Sequence, residues 1–163
     1  MSERPLWAPW RIEYITGPKS NGCVFCAAAS TDDDRRSLIV ERGEHCFTVL
    51  NTFPYAPGHL MVVPRSHVDG LGDLADEESN ELMRLARRAI EVLQEVMNPG
   101  GFNVGMNIGA VAGAGISDHV HLHVVPRWQG DTNFMPVLAD TRTIPQALDA
   151  TWELLVRSFR AKR

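Results

Sequence analysis

The chain has 163 residues, about the length of one domain, and 44% of them are hydrophobic. Acidic residues outnumber Lys and Arg by 20 to 16, and the net charge of -4 argues against non-specific binding to nucleic acid or to a membrane surface. No apolar run approaches the ~20 residues of a membrane helix. Residues 1–5 lack the layout of a secretory signal peptide, so a cytoplasmic protein is expected.

Residues 1–20 are rich in aromatic side chains, which predicts an arm that packs on the body or on a partner subunit. Residues 21–163 are expected to form the body, and the whole chain, residues 1–163, a single domain. Five segments of the body have the apolar and β-branched composition of strands: residues 37–41, 46–51, 59–63, 102–108 and 120–125. Residues 52–58 contain two prolines and a glycine, which predicts a loop.

Two helices are predicted from apolar residues at three- and four-residue steps. The first covers residues 77–97, with Asp76 as its N-cap and the Asn-Pro-Gly sequence at 98–100 as its end. The second covers residues 144–159, with Thr143 as its cap. Five strands around one long helix and a C-terminal helix predict an α+β fold with an antiparallel sheet.

Three histidines, His119, His121 and His123, alternate with aliphatic residues. In a strand, residues two apart share a face, so the imidazoles would line one side while the aliphatic residues enter the core. A purely structural role is disfavoured, because adjacent buried imidazoles repel one another once two are charged. A three-histidine metal site of the hydrolytic kind remains open. So does nucleophilic attack on phosphorus by a neutral imidazole whose other nitrogen donates to a backbone carbonyl.

The segment 119–125 fits the His-φ-His-φ-His-φ-φ pattern and resembles the histidine-triad superfamily of nucleotide hydrolases and transferases. Residues 51–64 resemble the first nucleotide-binding segment of that family, and residues 101–109 resemble the strand and loop before its triad. Segments 6–11 and 127–134 resemble the bacterial branch that contains diadenosine tetraphosphate phosphorylases. The family has an antiparallel sheet with a long helix and is usually a homodimer.

The resemblance implies that His121 is the nucleophile and forms a nucleotidyl-histidine intermediate, with His119 and His123 completing the catalytic set. It further implies that His123 contacts phosphate, that Asn51 holds ribose and that His59 supports the catalytic site. Asn107 would bind phosphate, and Trp128, at the end of the histidine strand, is grouped with the nucleotide-binding residues.

One position departs from the family pattern. The family often has Gln and then Ser or Thr four and three residues before the first triad histidine, where this chain has Gly115 and Ile116. Backbone amides of residues 113–115, Gly113 and Gly115 among them, or the hydroxyl of Ser117 could replace these phosphate donors, because a glycine-rich turn can direct N–H groups at an anion.

Cys23 and Cys26 form a C-x-x-C pair, which indicates metal binding or redox chemistry. A redox pair normally opens a helix, whereas the Asn-Gly at 21–22 predicts a loop here, so zinc is preferred over redox chemistry and over iron. His67 and His119 could complete a Cys₂His₂ set. The resemblance supports this set, since many bacterial triad proteins use the corresponding histidines as ligands. Cys46 has no partner at metal spacing and is expected to be a core thiol.

The leading hypothesis is nucleotidyl transfer from a dinucleoside polyphosphate to inorganic phosphate, with Arg127 and the turn at 113–115 as donors to the phosphate. Three alternatives remain open. Water could replace phosphate as the acceptor, the substrate could be a nucleoside phosphoramidate, or the protein could be a zinc-stabilised nucleotide-binding regulator with little turnover.

Overall fold

The computed structural model describes residues 22–131 and 147–162. These residues form five strands: β1 (Ile39–Arg42), β2 (Cys46–Leu50), β3 (Leu60–Pro64), β4 (Gly101–Gly105) and β5 (Leu122–Arg127). Their α-helices are α1 (Val24–Ser30), α2 (Asp76–Met97) and α3 (Leu148–Ala161), and short 3-10 turns lie at Leu71–Asp73 and Ala110–Ala112. The predicted aromatic arm, residues 1–20, lies outside the described residues. No described helix is both long and apolar enough to cross a membrane.

The strands form one sheet in the order β1-β2-β3-β5-β4, and every neighbouring pair is antiparallel. The predicted α+β class is therefore confirmed. The histidine strand begins later than predicted, at Leu122 instead of residue 120, and it continues through Pro126 to Arg127. Pairing between β3 and β5 ends at Val124, so only β4 borders β5 at Pro126. A missing N–H costs no ladder bond on an open edge, which explains why the proline does not end the strand.

The long helix α2 packs its apolar face on the sheet and ends at Met97, followed by the C-cap Asn98, whose φ of 45° is left-handed. Its start differs from the prediction, because Ala75 is the N-cap and Asp76 is the first helical residue. The carboxylate of Glu78 accepts a hydrogen bond from the Ala75 N–H at 2.9 Å, which satisfies a donor at the helix start without a capping side chain.

The C-terminal helix α3 covers the outer strand β1. Leu155, Val156 and Phe159 are buried, and Trp152 Nε1 donates to the carbonyl oxygen of Ile39 at 3.0 Å. The predicted start of this helix at residue 144 and its predicted cap, Thr143, lie outside the described residues.

Helix α1 was not predicted. The sequence placed Cys23 and Cys26 in a loop, but Cys23 is the N-cap of α1 and Cys26 lies in its first turn. Ala27–Ala29 give this segment high helix propensity, and Phe25 is buried against the sheet, so packing stabilises a helix of only seven residues. The C-x-x-C therefore opens a helix. The predicted loop was the reason for preferring zinc over redox chemistry, and that reason no longer holds.

Two apolar clusters cover the sheet. The larger lies between the sheet and helices α2 and α3, and it includes Leu122, Val124 and Cys46. The smaller contains Phe25 of α1 together with Phe47 and other strand residues. Cys46 is fully buried, as predicted, and burial raises the pKa of its thiol to about 12.

Candidate active site and metal centre

His121 lies just before β5 and is 4% exposed. Its Nδ1–H donates to the backbone carbonyl oxygen of His119 at 2.9 Å. Because a carbonyl only accepts, the proton lies on Nδ1 and the lone pair on Nε2. Burial lowers the pKa of His121, against the opposing effect of this hydrogen bond, so the ring is neutral at pH 7. The residue thus has the tautomer and charge of an imidazole nucleophile.

His59, just before β3, fixes the tautomer of His123 on β5. The Tyr55 backbone N–H donates to His59 Nδ1 at 3.1 Å, so the proton of His59 lies on Nε2. That Nε2–H donates to His123 Nδ1 at 2.9 Å. The proton of a neutral His123 then lies on Nε2. His123 can therefore donate a hydrogen bond, and a phosphate oxygen is a suitable acceptor.

His59 and His123 are both neutral at pH 7. Burial, with a smaller contribution from the neighbouring imidazoles of His123 and His121, lowers the pKa of His59 to about 3. Burial also lowers the pKa of His123 to about 4, and His121 adds to the effect. Asn51 Nδ2 lies 3.3 Å from His59 Nδ1, and Asn51 Oδ1 accepts the Phe53 N–H at 2.9 Å. The loop at residues 51–55 is thus tied to the same ring.

A pocket of about 270 Å³ opens in front of His121 and His123. This volume is near the lower end of small-molecule sites, roughly 300 Å³. The predicted nucleotide-binding residues among its lining are Asn51, Asn107, Gly113, Gly115 and His123. His59 is fully buried behind them. Asn107 Nδ2 donates to the carbonyl oxygen of Gly113 at 3.3 Å, which holds the glycine-rich turn beside the pocket.

Two predicted binding residues, Ser117 and Trp128, are not among the described residues that line this pocket. Arg127, which the sequence suggested as a phosphate donor, lies at the end of β5, and its Nε and Nη2 donate to both carboxylate oxygens of Asp131 at 2.5 and 2.8 Å. Arg127 Nη1 donates to Asn103 Oδ1 at 2.8 Å. The guanidinium is thus directed at Asp131 and Asn103, and it does not line the described pocket.

The apolar wall of the pocket was not predicted from the sequence. This wall includes Val24, Phe25 and Ala28 of α1 together with Tyr55, Met61 and Ile116. A signal for the α1 part was present, because His119 was placed in the metal set with Cys23 and Cys26. Such a set brings residues 24 and 25 beside the histidine strand.

The four predicted metal ligands lie together. The ligand atoms of Cys23, Cys26, His67 and His119 are all within 4.8 Å of one another. Cys23 Sγ is 3.2 Å and Cys26 Sγ is 3.7 Å from His119 Nδ1, and Cys26 Sγ is 3.4 Å from His67 Nδ1. Tetrahedral zinc, with Zn–S near ~2.3 Å and Zn–N near ~2.0 Å, separates its S and N ligands by about 3.5 Å. The donor set and its spacing fit such an ion.

His119 has the outer hydrogen-bonding partner that metal-ligating histidines usually have, and His67 has a carboxylate nearby. His119 Nε2–H donates to the Pro64 carbonyl oxygen at 2.9 Å, which leaves the Nδ1 lone pair for a metal. His67 Nε2 lies 3.8 Å from an Asp118 carboxylate oxygen. Burial is the main cause of a lowered pKa for His119, which favours the neutral, ligating form.

The chain belongs to the HIT domain family, whose model matches residues 33–130. It is 44% identical over 162 residues to the AP-4-A phosphorylase of Mycobacterium tuberculosis, a match that covers 94% of this chain and 83% of the relative. It is 35% identical over 97 residues to the bis(5'-adenosyl)-triphosphatase of Dictyostelium discoideum, covering 60% of this chain and 64% of that one. It is 34% identical over 95 residues to the asymmetrical bis(5'-nucleosyl)-tetraphosphatase of Schizosaccharomyces pombe, covering 58% and 52%.

A solved structure with the same fold is that of a Zn-bound histidine triad family protein from Mycobacterium smegmatis. The two structures align with a TM-score of 0.70 at 26% sequence identity, covering 86% of this chain and 95% of the other. The Cys23 and Cys26 pair precedes the segment that the family model matches, so the cluster joins α1 to the HIT domain proper.

Proposed function

We propose that the protein transfers a nucleotidyl group from a dinucleoside polyphosphate through a covalent intermediate on His121, and that diadenosine tetraphosphate and inorganic phosphate are converted to ADP and ATP. The observation that carries the proposal is the hydrogen bond from His121 Nδ1 to the His119 carbonyl, which leaves Nε2 as a neutral nucleophile beside a pocket. The identity to an AP-4-A phosphorylase over nearly the whole chain supports the choice of substrate.

In the first half-reaction, His121 Nε2 attacks the α-phosphorus next to one adenosine. The new N–P bond forms as the bond from phosphorus to the bridging oxygen breaks, and ATP leaves with that oxygen and its electron pair. The imidazole becomes positively charged when Nε2 is bonded to phosphorus. The acceptor carbonyl of His119, 2.9 Å from Nδ1, stabilises this charge because it already accepts the Nδ1–H.

His123 supplies a donor for the transferred phosphoryl group. Its Nε2–H is fixed by the chain of hydrogen bonds from Tyr55 through His59, so the donor needs no reorganisation as negative charge develops on the oxygens. The ring of His123 packs against that of His121 at a centroid distance of 4.8 Å, which places the donor beside the nucleophile. Asn51 and Asn107 line the pocket and would contact ribose and phosphate.

In the second half-reaction, an oxygen of inorganic phosphate attacks the nucleotidyl phosphorus, the N–P bond breaks, and ADP is released with His121 returned to its neutral form. The acceptor is whichever nucleophile the site orients. Backbone amides of the glycine-rich turn at 113–115 are the donors we assign to it. Arg127 is not part of this assignment, since its guanidinium is bonded to Asp131.

Zinc is the metal that we propose for the cluster, held by Cys23, Cys26, His67 and His119. Two sulfur and two nitrogen donors suit zinc, and all four ligands come from the protein, which is typical of a structural site. The bound ion would cross-link α1, the segment after β3 and the segment before β5. Reduced thiols are required for this role, which fits a cytoplasmic protein.

A homodimer is part of the proposal. Strand β4 is an edge strand, and its residue Val104 is 45% exposed, with Ile108 beyond it 46% exposed. Apolar residues on an open strand edge favour pairing with a second copy of the chain.

The second candidate is hydrolysis, with water in place of phosphate as the acceptor. Two observations favour it. The chain is similar in sequence to a triphosphatase and a tetraphosphatase, and Arg127 donates to Asp131 instead of lining the pocket. Product analysis separates the two. Incubation of the purified protein with diadenosine tetraphosphate and phosphate should give ADP and ATP, at a rate that depends on phosphate. Formation of AMP and ATP at a rate that is indifferent to phosphate would identify a hydrolase. The absence of any product would contradict both candidates.

A further inference from the structure

Phe25, the third residue of the Cys-Val-Phe-Cys sequence, contacts the reacting histidine. It is 4% exposed, and its ring centroid lies 5.0 Å from that of His121, with an angle of 54° between the ring planes. The same ring lies 5.4 Å from His119, edge to face at 74°. On another side, His123 packs on His121 at 4.8 Å. Within residues 22–131 and 147–162, the His121 imidazole is therefore in contact with two aromatic rings, and one of them, Phe25, does not belong to the triad.

The hydrogen bond to the His119 carbonyl fixes one atom of the His121 ring, Nδ1. Small rotations about the side-chain torsions χ1 and χ2 remain possible within this hydrogen bond, and they move Nε2, the atom on the far side of the ring. Neighbouring rings in van der Waals contact oppose such rotations. Phe25 is therefore placed where it can limit the positions that Nε2 adopts.

Phe25 lies between two of the candidate metal ligands in the sequence, Cys23 and Cys26. Its helix, α1, has only seven residues and no side-chain N-cap hydrogen bond. Helices this short depend on tertiary contacts for their stability. A metal bound to both cysteines would anchor the first turn of α1, and with it the Phe25 backbone.

We propose that Phe25 is a positioning residue for His121, and that the Cys23–Cys26 half of the metal cluster fixes Phe25 in that position. The inference rests on the proposed function for its kinetic consequence, but not for the contact itself. A displacement of about 1 Å in a reacting atom can reduce a rate by roughly 10²-fold, so loss of the Phe25 ring should reduce kcat.

The kinetic test compares Phe25→Ala with Phe25→Leu in the metal-loaded protein. Phe25→Ala should lower kcat by about tenfold or more at saturating diadenosine tetraphosphate, whereas Phe25→Leu, which keeps most of the apolar volume, should stay within about threefold of wild type. Ser30→Ala on the same helix, outside the pocket lining and the metal set, is the matched control and should leave kcat unchanged. Metal content by atomic spectroscopy should be equal in all four proteins.

A second measurement does not depend on turnover. The buried Nδ1–H of His121 should give a slowly exchanging imidazole proton signal in NMR spectra, assigned by its loss in His121→Gln. Phe25→Ala should accelerate the exchange of this proton, and Phe25→Leu should not. Removal of the metal by a chelator should accelerate the exchange in the wild-type protein as Phe25→Ala does.

The outcomes are distinct. If Phe25→Ala raises only KM and leaves kcat and the imidazole proton unchanged, Phe25 is merely a wall of the pocket and the positioning role is overturned. If the metal-free wild type retains slow exchange, the role assigned to the two cysteines is overturned. If no nucleotide is turned over but exchange responds as expected, the proposed function fails and the positioning role stands.

Discussion

The backbone carbonyl of His119 accepts the Nδ1–H of His121 at 2.9 Å, while the ring of His119 lies in the cluster of candidate metal ligands, 3.2 Å from Cys23 Sγ. One residue thus fixes the tautomer of the proposed nucleophile through its main chain and belongs to the metal cluster through its side chain. The two sites are therefore adjacent through His119. Substitutions in the catalytic site should change turnover, and substitutions in the metal cluster should change metal content and stability.

Replacement of His121 by Ala should lower turnover by roughly 10³-fold or more, because it removes the nitrogen on which the covalent intermediate is proposed to form. Folding should be retained, since the substitution removes a ring at the edge of the pocket and leaves the His119 carbonyl in place. Steady-state kinetics with diadenosine tetraphosphate measures the first effect, and circular dichroism with nucleotide binding by calorimetry measures the second. Activity above a few per cent of wild type would contradict a covalent mechanism on this residue.

The metal prediction is one zinc ion per chain, lost in Cys23→Ser. Structural zinc binding is worth on the order of 10 kcal/mol in favourable cases, and the free energy of unfolding should therefore fall by at least about 3 kcal/mol when the ion is lost. For a chain of this length, a loss of about 3 kcal/mol lowers Tm by roughly 10 °C. Inductively coupled plasma spectrometry and thermal unfolding check the two effects. The matched control is Cys46→Ala, because Cys46 is a buried cysteine outside the cluster. This variant should bind as much zinc as the wild type. Wild-type protein with less than about half an equivalent of metal would refute the site.

Stability should decrease as the pH falls below about 6.5, the ordinary pKa of histidine. Burial lowers the pKa of His59 to about 3 and that of His123 to about 4 in the folded protein. Between pH 6.5 and pH 4 the unfolded chain therefore binds more protons than the folded chain, and the free energy of unfolding falls with falling pH. Urea unfolding at several pH values measures the slope.

The variant His59→Gln isolates the contribution of the buried ring, because glutamine does not titrate in this range. The variant should lose less stability than the wild type between pH 6.5 and pH 4. Loss of metal from the cluster at low pH would affect both proteins alike and cancels in the comparison. Parallel slopes for the two proteins would show that neither His59 nor its hydrogen bond to His123 is the cause.

Substitution of Arg127 by Ala should leave the KM for inorganic phosphate within about threefold of wild type, because the guanidinium is bonded to Asp131 and its side chain is 44% exposed. Asn107→Ala is the contrasting variant. It removes a pocket side chain and the hydrogen bond to the Gly113 carbonyl, so the KM for nucleotide or phosphate should rise. Initial rates over a phosphate series measure both. A large increase in the KM for phosphate in Arg127→Ala would show instead that Arg127 binds the acceptor phosphate.

The sheet and the long helix were predicted from strong local patterns, whereas the grouping of the four candidate ligands was predicted from residue chemistry together with the family resemblance. Strict alternation placed Leu122 and Val124 in the core, and three- and four-residue spacing defined the buried face of α2. These signals do not depend on distant residues.

Helix α1 and the position of Arg127 could not be predicted in this way. A seven-residue helix is marginal by propensity alone, and its stability comes from the burial of Phe25 and from contacts to the distant His119. The partner of Arg127 depends on a turn that brings Asp131 back to the end of β5, where Trp128 N–H also donates to the carboxylate. Tertiary packing determines the helix, whereas a local turn and Asn103 of the neighbouring strand β4 determine the direction of the Arg127 guanidinium.

His119 and His123 are four residues apart and have the same side chain, but His119 presents a hydrogen-bond acceptor and His123 a donor. The Nε2–H of His119 donates to the Pro64 carbonyl oxygen, so its Nδ1 presents a lone pair. His123 Nδ1 accepts a hydrogen bond from His59, so its Nε2 presents an N–H. A lone pair attracts cations, and an N–H attracts anions. The fold therefore gives two histidines of one segment different ion preferences, a cation at His119 and the oxygens of phosphate at His123. The identity of each partner atom, rather than any difference in sequence between the two histidines, decides which ion each of them selects.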